Sequence, residues 1–389
     1  MFRLLLSFTC LAIVVWAHKR PLPSVSLKSD SNSRLVLWGT RHGARNPGRF
    51  HSAEPYQVWG FEGELELTSI GKRQAYGLGR ELRRFVGYNR INVNYLPKEA
   101  HFYSSSAGRC QATLQTALVG FYDPIGWADW QTDHFDHWSP IPYTTNDQLL
   151  RMYAVKDCPR SAEVWKEIDE DSLPELANLT EKYKDLIAYV AKQTGWQADI
   201  GSVSDIADNL IAIETHNAHY PSWIEKPGLK GYNKDSIIKA IHKFAEKRQI
   251  ACADHEPCRN LMAGHWAQHI VDSIKKAQTG EGPYVIGYAS HTEVTLAVMK
   301  LLGLEKKDLE TSAGFVIDFR TKPNDEMRIL LHDPNPIDRH VIYKAHYSHE
   351  LAKISNGEGW MPIEKYFAII EKNLISDADA ACGKTCSTN

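Results

Sequence analysis

Leu35-Val36-Leu37-Trp38, followed by Arg41-His42-Gly43-Ala44-Arg45-Asn46-Pro47, is the stretch on which the reading of this chain turns. The apolar run has the composition of a buried strand. The segment after it brackets one histidine with two arginines, in a loop tightened by Gly43 and Pro47. Two guanidiniums draw a phosphate or carboxylate by bidentate, charge-assisted hydrogen bonds. A neutral imidazole between them can attack phosphorus. Burying these groups without an anionic partner is costly, so an ion network built for stability alone is the weaker explanation.

The chain has 389 residues, enough for one large domain or two packed ones. Its formal net charge of −2 gives no electrostatic case for nucleic acid or an anionic membrane as partner. Residues 1–17 have the pattern of a secretory signal peptide: Arg3, an apolar core from Leu4 to Trp16, and a cut expected before His18. The apolar run is too short to span a bilayer, so a secreted, extracellular protein is expected. Cys10 leaves with the signal. The six remaining cysteines, Cys110, Cys158, Cys252, Cys258, Cys382 and Cys386, suggest three disulfides with connectivity open. Cys252–Cys258 and Cys382–Cys386 are close enough in sequence to be local pairs. Asn178-Leu179-Thr180 is a glycosylation acceptor and places that segment at the surface.

Residues 18–33 are polar and read as a loose leader. Thr68 caps a helix running from Ser69 to about Gly87, with small residues on one face that permit close packing. A strand at Ala100–Ser104 leads into a helix from Arg109 to Gly120. The stretch 160–250 is mainly helical, as is Pro257–Ala277. Tyr284–Tyr288 reads as a strand, followed by a helix from Glu293 to Leu302. Gly314–Phe319 and Met327–His332 read as a hairpin. The expected fold is α/β, a mostly parallel central sheet flanked by helices. Its α/β domain takes residues 33–125 and 260–345, a helical cap is inserted at 126–259, and 346–389 form a C-terminal extension. Ligands of open α/β sheets lie beyond the carboxyl ends of strands. Arg41–Pro47 and Ser290–Glu293 both fall at such ends, so one shared pocket is expected.

Arg-His-Gly-x-Arg-x-Pro, together with Leu67-Thr68-x-x-Gly71-x-x-Gln74 and Trp138-x-Pro140-Ile141-Pro142, resembles the histidine acid phosphatase superfamily over roughly residues 33 to 345. The resemblance implies that His42 is the nucleophile that forms a phosphohistidine. It implies that Arg41 and Arg45 hold phosphate oxygens and that His291 is the second active-site histidine. No metal and no cofactor are expected. Two positions depart from the family's pattern. Tyr103, in Phe102-Tyr103-Ser104-Ser105-Ser106, stands where the family's R-S-T-D-like segment places a phosphate-gripping arginine. Thr292, in His291-Thr292-Glu293, stands where the family places its proton-donating aspartate.

A branch of the superfamily acting on inositol polyphosphates carries His-x-Glu, and Glu293 has that spacing. Ser290-His291-Thr292-Glu293 also fits a capping box, which would turn the glutamate to the backbone, and that is the favoured expectation. Losing a general acid removes roughly 10² to 10⁴ in rate, and losing a phosphate-binding donor costs a further 3–4 kcal/mol or so. The favoured expectation is therefore a secreted phosphatase-like protein with an impaired site. It would bind a small ligand, an aromatic amine or a lipid carboxylate, with Arg41, Arg45, Tyr103, His291 and Thr292 lining the pocket. In this it resembles the acid-phosphatase-like salivary proteins of blood-feeding insects. The alternative is an active acid phosphatase acting on phosphate monoesters, with His42 as nucleophile and Glu293 as donor.

His265 and His269 stand four apart on a helical pattern, but nothing completes a zinc set, so packing or surface histidines are expected. Asp133-His134-Phe135-Asp136-His137 reads as a polar loop near the pocket rim. Trp127, Trp130 and Trp138 read as loop anchors.

Overall fold

The computed structural model describes residues 22–51, 58–128, 130 and 138–384. The signal segment, the Asp133–His137 run and Cys386 lie outside the described residues. Strand β1 (Ser33–Arg41) sits mid-sheet, buried on both faces. Side chains alternate across a strand. Leu35 and Leu37 accordingly feed one hydrophobic core, while Val36 and Trp38 feed the other. The remaining strands are β2 (Ala100–Ser104), β3 (Thr144–Thr145), β4 (Val285–Ser290), β5 (Gly314–Arg320), β6 (Glu326–Pro334), β7 (His340–Lys344) and β8 (Met361–Pro362).

The sheet order is β3-β2-β4-β1-β5-β6-β7, with β8 paired to β6. The β3-β2, β2-β4 and β4-β1 pairs are parallel, and the pairs from β1 to β7 are antiparallel. The parallel half carries the site. The expected α/β fold is therefore present, and the expected hairpin is β5–β6.

Helices α1 (Ser69–Val86) and α2 (Gly108–Phe121) cover one face of the sheet. They approach closely because glycines remove side chains between them. A Cβ on Gly79 would lie 1.8 Å from the Ala117 carbonyl oxygen, and one on Gly120 would lie 2.2 Å from that of Tyr76. The close packing expected from α1's small residues is thus observed. Thr68 caps α1 by accepting from Gly71 N–H at 3.2 Å, as expected.

The stretch from 147 to 278 is mainly helical: α3 (Asp147–Leu150), α4 (Pro159–Asp169), α5 (Pro174–Lys182), α6 (Lys184–Thr194), α7 (Ile200–Thr215), α8 (Ser222–Glu225), α9 (Lys234–Asp254) and α10 (Glu256–Gln278). Their apolar faces and the second face of the sheet form one continuous core, from Leu35 and Phe315 to Ile206 and Phe244. Helix α11 (Thr292–Leu301) follows β4; α12 (His349–Ile354), α13 (Ile363–Ile370) and α14 (Ala378–Ala381) close the chain. Asn178 is exposed on α5. Among the described residues no helix is long and apolar enough to cross a membrane.

Two expectations are corrected. The segment before β1 is not loose from Ser26 onward. Ser26 Oγ accepts from Ile342 N–H at 2.9 Å, and Leu27 N–H donates to the Ile342 carbonyl at 2.8 Å. Asp30 N–H donates to the buried Asp318 carboxylate at 3.1 Å. The cysteines also pair differently. Cys252–Cys258 is the expected local disulfide, but Cys382 bonds Cys158, 224 residues away, and not Cys386. Cys110 is a free, buried thiol, so three disulfides among these six cysteines cannot form. Proximity in sequence is a poor guide here because the C-terminal segment folds back onto the start of α4. Gly383 lies against Pro159 and Arg160.

Candidate active site

Strands β1 and β4 run parallel with Arg41 opposite Ser290, so both expected loops leave the sheet side by side. His42 N–H donates to the Ser290 carbonyl at 2.9 Å, and the His42 and His291 ring centroids are 5.8 Å apart. The two histidine-bearing loops are thus brought together at one edge of the sheet.

The Arg41–Pro47 loop is held by hydrogen bonds to α1, its cap and α2. Ala44 N–H donates to Gln74 Oε1 at 2.9 Å, Thr68 Oγ1 donates to the Ala44 carbonyl at 2.9 Å, and Gly43 N–H donates to Thr113 Oγ1 at 3.0 Å. Gly43 and Gly71 pack backbone to backbone. A Cβ on Gly43 would lie 2.5 Å from the Gly71 carbonyl oxygen, and one on Gly71 would lie 2.2 Å from that of Ala44. The Leu-Thr-x-x-Gly-x-x-Gln spacing of α1 is the complement of the Arg-His-Gly-x-Arg loop.

His42 Nδ1 lies 2.9 Å from its neighbour's Gly43 carbonyl oxygen. A carbonyl only accepts, so Nδ1 bears the proton and Nε2 keeps its lone pair. Burial, then the charges of Arg41, Arg109 and Arg45, hold the His42 ring well below its ordinary pKa, so it stays neutral into acid. Arg41 Nη1 donates to the Leu309 carbonyl at 2.5 Å. Burial and the neighbouring Arg45 lower its pKa to about 10, so it stays charged at neutral pH. Against the cost of burial, the pKa of Arg45 is raised by Asp208, whose Oδ2 accepts from its Nη2 at 2.8 Å.

Arg109 is the residue the sequence reading missed. It lies in the first turn of α2, and its Nη2 donates to His291 Nδ1 at 3.1 Å. Arginine has no acceptor, so His291 Nδ1 must be the unprotonated nitrogen. His291 Nε2–H then donates to Ser105 Oγ at 2.9 Å. Burial, then Arg109, Arg151, Arg45 and Arg41, push the His291 pKa well below its ordinary value. Among the described residues, the Nε atoms of Arg41, Arg45, Arg109 and Arg151 are buried without a hydrogen-bond partner. Buried donors are ordinarily paired, so these four stand out as donor capacity left over around the two histidines.

Tyr103 is placed differently from the expectation that it replaces a phosphate-binding arginine. Its ring stacks on Tyr288 at 5.4 Å and meets His269 edge-on at 5.1 Å, packed against the core on the α10 face of the sheet. The capping box is also overturned. Ser290 ends β4, and its hydroxyl donates to the Leu150 carbonyl at 2.7 Å. His291 is the cap of α11 and makes no side-chain capping bond. Glu293 is half-buried, and its charge acts on Arg41, Arg45 and the Tyr153 hydroxyl. Thr292 is buried at the start of α11.

Tyr153 packs edge-on to His291 at 5.6 Å, and burial followed by Glu293 raises its hydroxyl pKa. The histidine pair on α10 is structural. His265 Nδ1 lies 3.1 Å from the Ile375 carbonyl and His269 Nδ1 lies 2.8 Å from the Tyr288 hydroxyl. Among the described residues no cluster of three or more histidine, cysteine or carboxylate side chains could hold a metal.

A neutral imidazole thus stands at the carboxyl end of a central strand of an α/β sheet, beside a second histidine and among the charges of three arginines. Residues 34–319 match the model of the histidine phosphatase superfamily (branch 2), and the chain belongs to that family. It is 27% identical over 288 residues to a lysosomal acid phosphatase of Xenopus laevis, covering 72% of this chain and 63% of that one. It is 22% identical over 284 residues to a putative acid phosphatase 5 of Caenorhabditis elegans, covering 69% of this chain and 61% of that one. The chain thus matches less than two thirds of the length of these relatives.

The fold is similar to that of the Citrobacter braakii phytase, with TM-score 0.61 at 14% identity, covering 92% of this chain and 99% of that one. It is similar too to the Bifidobacterium longum multiple inositol polyphosphate phosphatase in complex with inositol hexasulfate. There the TM-score is 0.59 at 11% identity, covering 92% of this chain and 96% of that one.

Proposed function

We propose that this protein is a phosphate monoester hydrolase of the secretory pathway that works through a phosphohistidine on His42. The observation that carries the reading is the convergence of Arg41, Arg45 and Arg109 on a neutral His42, with buried guanidinium donors left unpaired. Arg109 supplies the third positive charge that Tyr103 does not. In the first step His42 Nε2 attacks phosphorus and the ester P–O bond breaks. The leaving oxygen takes a proton from the Glu293 carboxyl group. In the second step water attacks phosphorus, Glu293 carboxylate takes its proton, and the P–N bond breaks to release phosphate and restore His42. The arginines neutralise charge on the equatorial oxygens as it builds. The leader sequence and two disulfides support a secretory location.

A ligand binder without turnover is the competing reading, and it rests on Thr292 at the position of the family's usual donor. Its amine version fits the site poorly, because the pocket's guanidiniums repel an ammonium group. Hydrolysis of p-nitrophenyl phosphate at pH 5, with acid-stable trapping of labelled enzyme ruled out and base-stable phosphohistidine sought, separates the two. The hydrolase turns over and loses both turnover and label in His42→Ala. No turnover by the intact protein overturns this reading.

A further inference from the structure

Helix α7 meets the Arg41–Pro47 loop and the segment just after it at three points. Asn209 Nδ2 donates to the Arg49 carbonyl at 2.9 Å, and Asn209 Oδ1 accepts from His51 N–H at 3.2 Å. Asn209 is fully buried, so these two bonds satisfy backbone groups and dock the helix. The third contact is different in kind. Asp208 Oδ2 takes an N–H of Arg45, a side chain that the phosphoryl group must also use. Arg45 Nη1 is already committed to the Asn46 carbonyl at 2.8 Å. With Nη2 on Asp208, its unpaired donor capacity is reduced to Nε and the remaining Nη hydrogens.

The anions acting on Arg45 are Asp208, Glu293 and Asp205, set against the like charges of Arg41 and Arg109. Asp205 lies on the same face of α7, three residues before Asp208. An arriving phosphate dianion therefore meets a guanidinium that already has an anion on its other side.

We propose that Asp208 is the anion that occupies Arg45 in the empty site and surrenders it to the phosphoryl group, so that it loosens the site's hold on inorganic phosphate. This rests on the hydrolase reading above. Asp208 touches Arg45 and not the reacting atoms, so it is a positioning residue. In the empty protein it spares Arg45 the cost of standing as a buried, unpaired cation. On binding, that pairing is lost or shared, which subtracts equally from substrate and product affinity. An enzyme gains no rate from gripping its product, and product release often limits turnover.

The test is calorimetric titration of the full-length protein with inorganic phosphate, wild type against Asp208→Asn. The neutral variant is expected to bind phosphate about tenfold more tightly, because a like charge a few ångströms from the anion has gone. With p-nitrophenyl phosphate, KM and kcat are expected to fall together as release slows. Asn209→Ala breaks the neutral clamp but keeps the charge, and is expected to bind phosphate no more tightly than wild type. Asp208→Ser repeats the neutralisation should the asparagine variant fold poorly. Phosphate binding in the neutral variants that equals or falls below wild type overturns the proposal and leaves Asp208 a docking residue. If wild type binds phosphate but hydrolyses nothing, the hydrolase reading fails while the binding comparison still decides the role of Asp208. If neither protein binds phosphate, both ideas fall.

Discussion

Arg109 Nη2 donates to His291 Nδ1 at 3.1 Å, and this bond fixes two things at once. It holds the guanidinium beside His291, where its charge also acts on His42. It also sets the tautomer of His291, whose other nitrogen is committed to Ser105. The second histidine thereby orients the third arginine, and Ser105 orients the histidine.

Replacing Arg109 with glutamine removes one of the cations that act on His42 and His291. We expect kcat/KM for p-nitrophenyl phosphate to fall by about 10² to 10³, the loss typical of a preorganised donor to developing charge. The acid limb of the pH profile should move as well. Arg109 is a like charge that disfavours protonation of His42 and His291, so its removal raises both pKa values. The limb below which His42 becomes protonated then shifts to higher pH. A limb that stays in place while activity drops would show that Arg109 is remote from His42 in solution.

Glu293→Gln tests the proton donor by its dependence on the leaving group. A poor leaving group, such as the alcohol of glycerol phosphate, needs the proton most, and a loss of roughly 10² to 10⁴ in kcat is expected. p-Nitrophenolate departs without much help, so its first step should suffer far less. Because Glu293 also serves the shared second step, the donor role is read from kcat/KM, which reports the first step alone, and equal losses of kcat/KM on both substrates would remove Glu293 from it.

Gly71→Ala puts a methyl group where the Ala44 carbonyl oxygen now lies, 2.2 Å from the new carbon, with Leu67 Cδ1 at 2.6 Å. Backbone cannot give way as a flexible side chain does. The expected cost is about 1–3 kcal/mol of stability, read from chemical denaturation, together with a fall in kcat larger than that in folded protein. Gly71→Ala with unchanged kcat would mean that the loop tolerates displacement.

Acid stability should depend on His332 and His340, which are buried side by side with ring centroids 5.7 Å apart. Burial lowers the pKa of His332 to about 4, and burial followed by His332 holds His340 well below its ordinary value. Both are neutral when folded, whereas the unfolded chain protonates them near 6.5. The unfolded state therefore binds more protons between about pH 6.5 and 4, and stability falls as pH is lowered through that window. Each histidine contributes about 1.4 kcal/mol per pH unit there. His332→Gln should be less stable at pH 7, having disturbed the 3.1 Å contact to the Gly39 carbonyl, yet show a shallower decline toward pH 4. An unchanged slope in denaturation midpoints against pH would contradict the assignment.

The strand-loop-helix beginning of the site was legible because its chemistry is local. Leu35–Trp38 alternate into two cores, Thr68 caps its helix, and Gly43 and Gly71 complement one another across a short loop. The pairing of Arg41–Pro47 with Ser290–Glu293 was also legible, because parallel strands present their carboxyl ends together. Glu293 was misjudged for a physical reason. A serine three residues before a glutamate is a capping box only if the helix starts at the serine, and here β4 runs one residue further and moves the cap to His291. Tyr103 was misjudged because side chains alternate across β2. Its ring goes to the α10 face, while the guanidinium that reaches His291 belongs to Arg109, after the strand has ended.

The sequence by itself determined the family, the α/β alternation and the placing of His42 between Arg41 and Arg45, since each depends on contacts within a few residues or on a contiguous motif. Tertiary structure alone decided that Arg109 joins His291, that Asp208 of α7 holds Arg45, and that Cys158 reaches Cys382. Those partners lie 182, 163 and 224 residues apart, and side-chain chemistry carries no address for a partner at such distance until packing of the sheet and cap brings the two together.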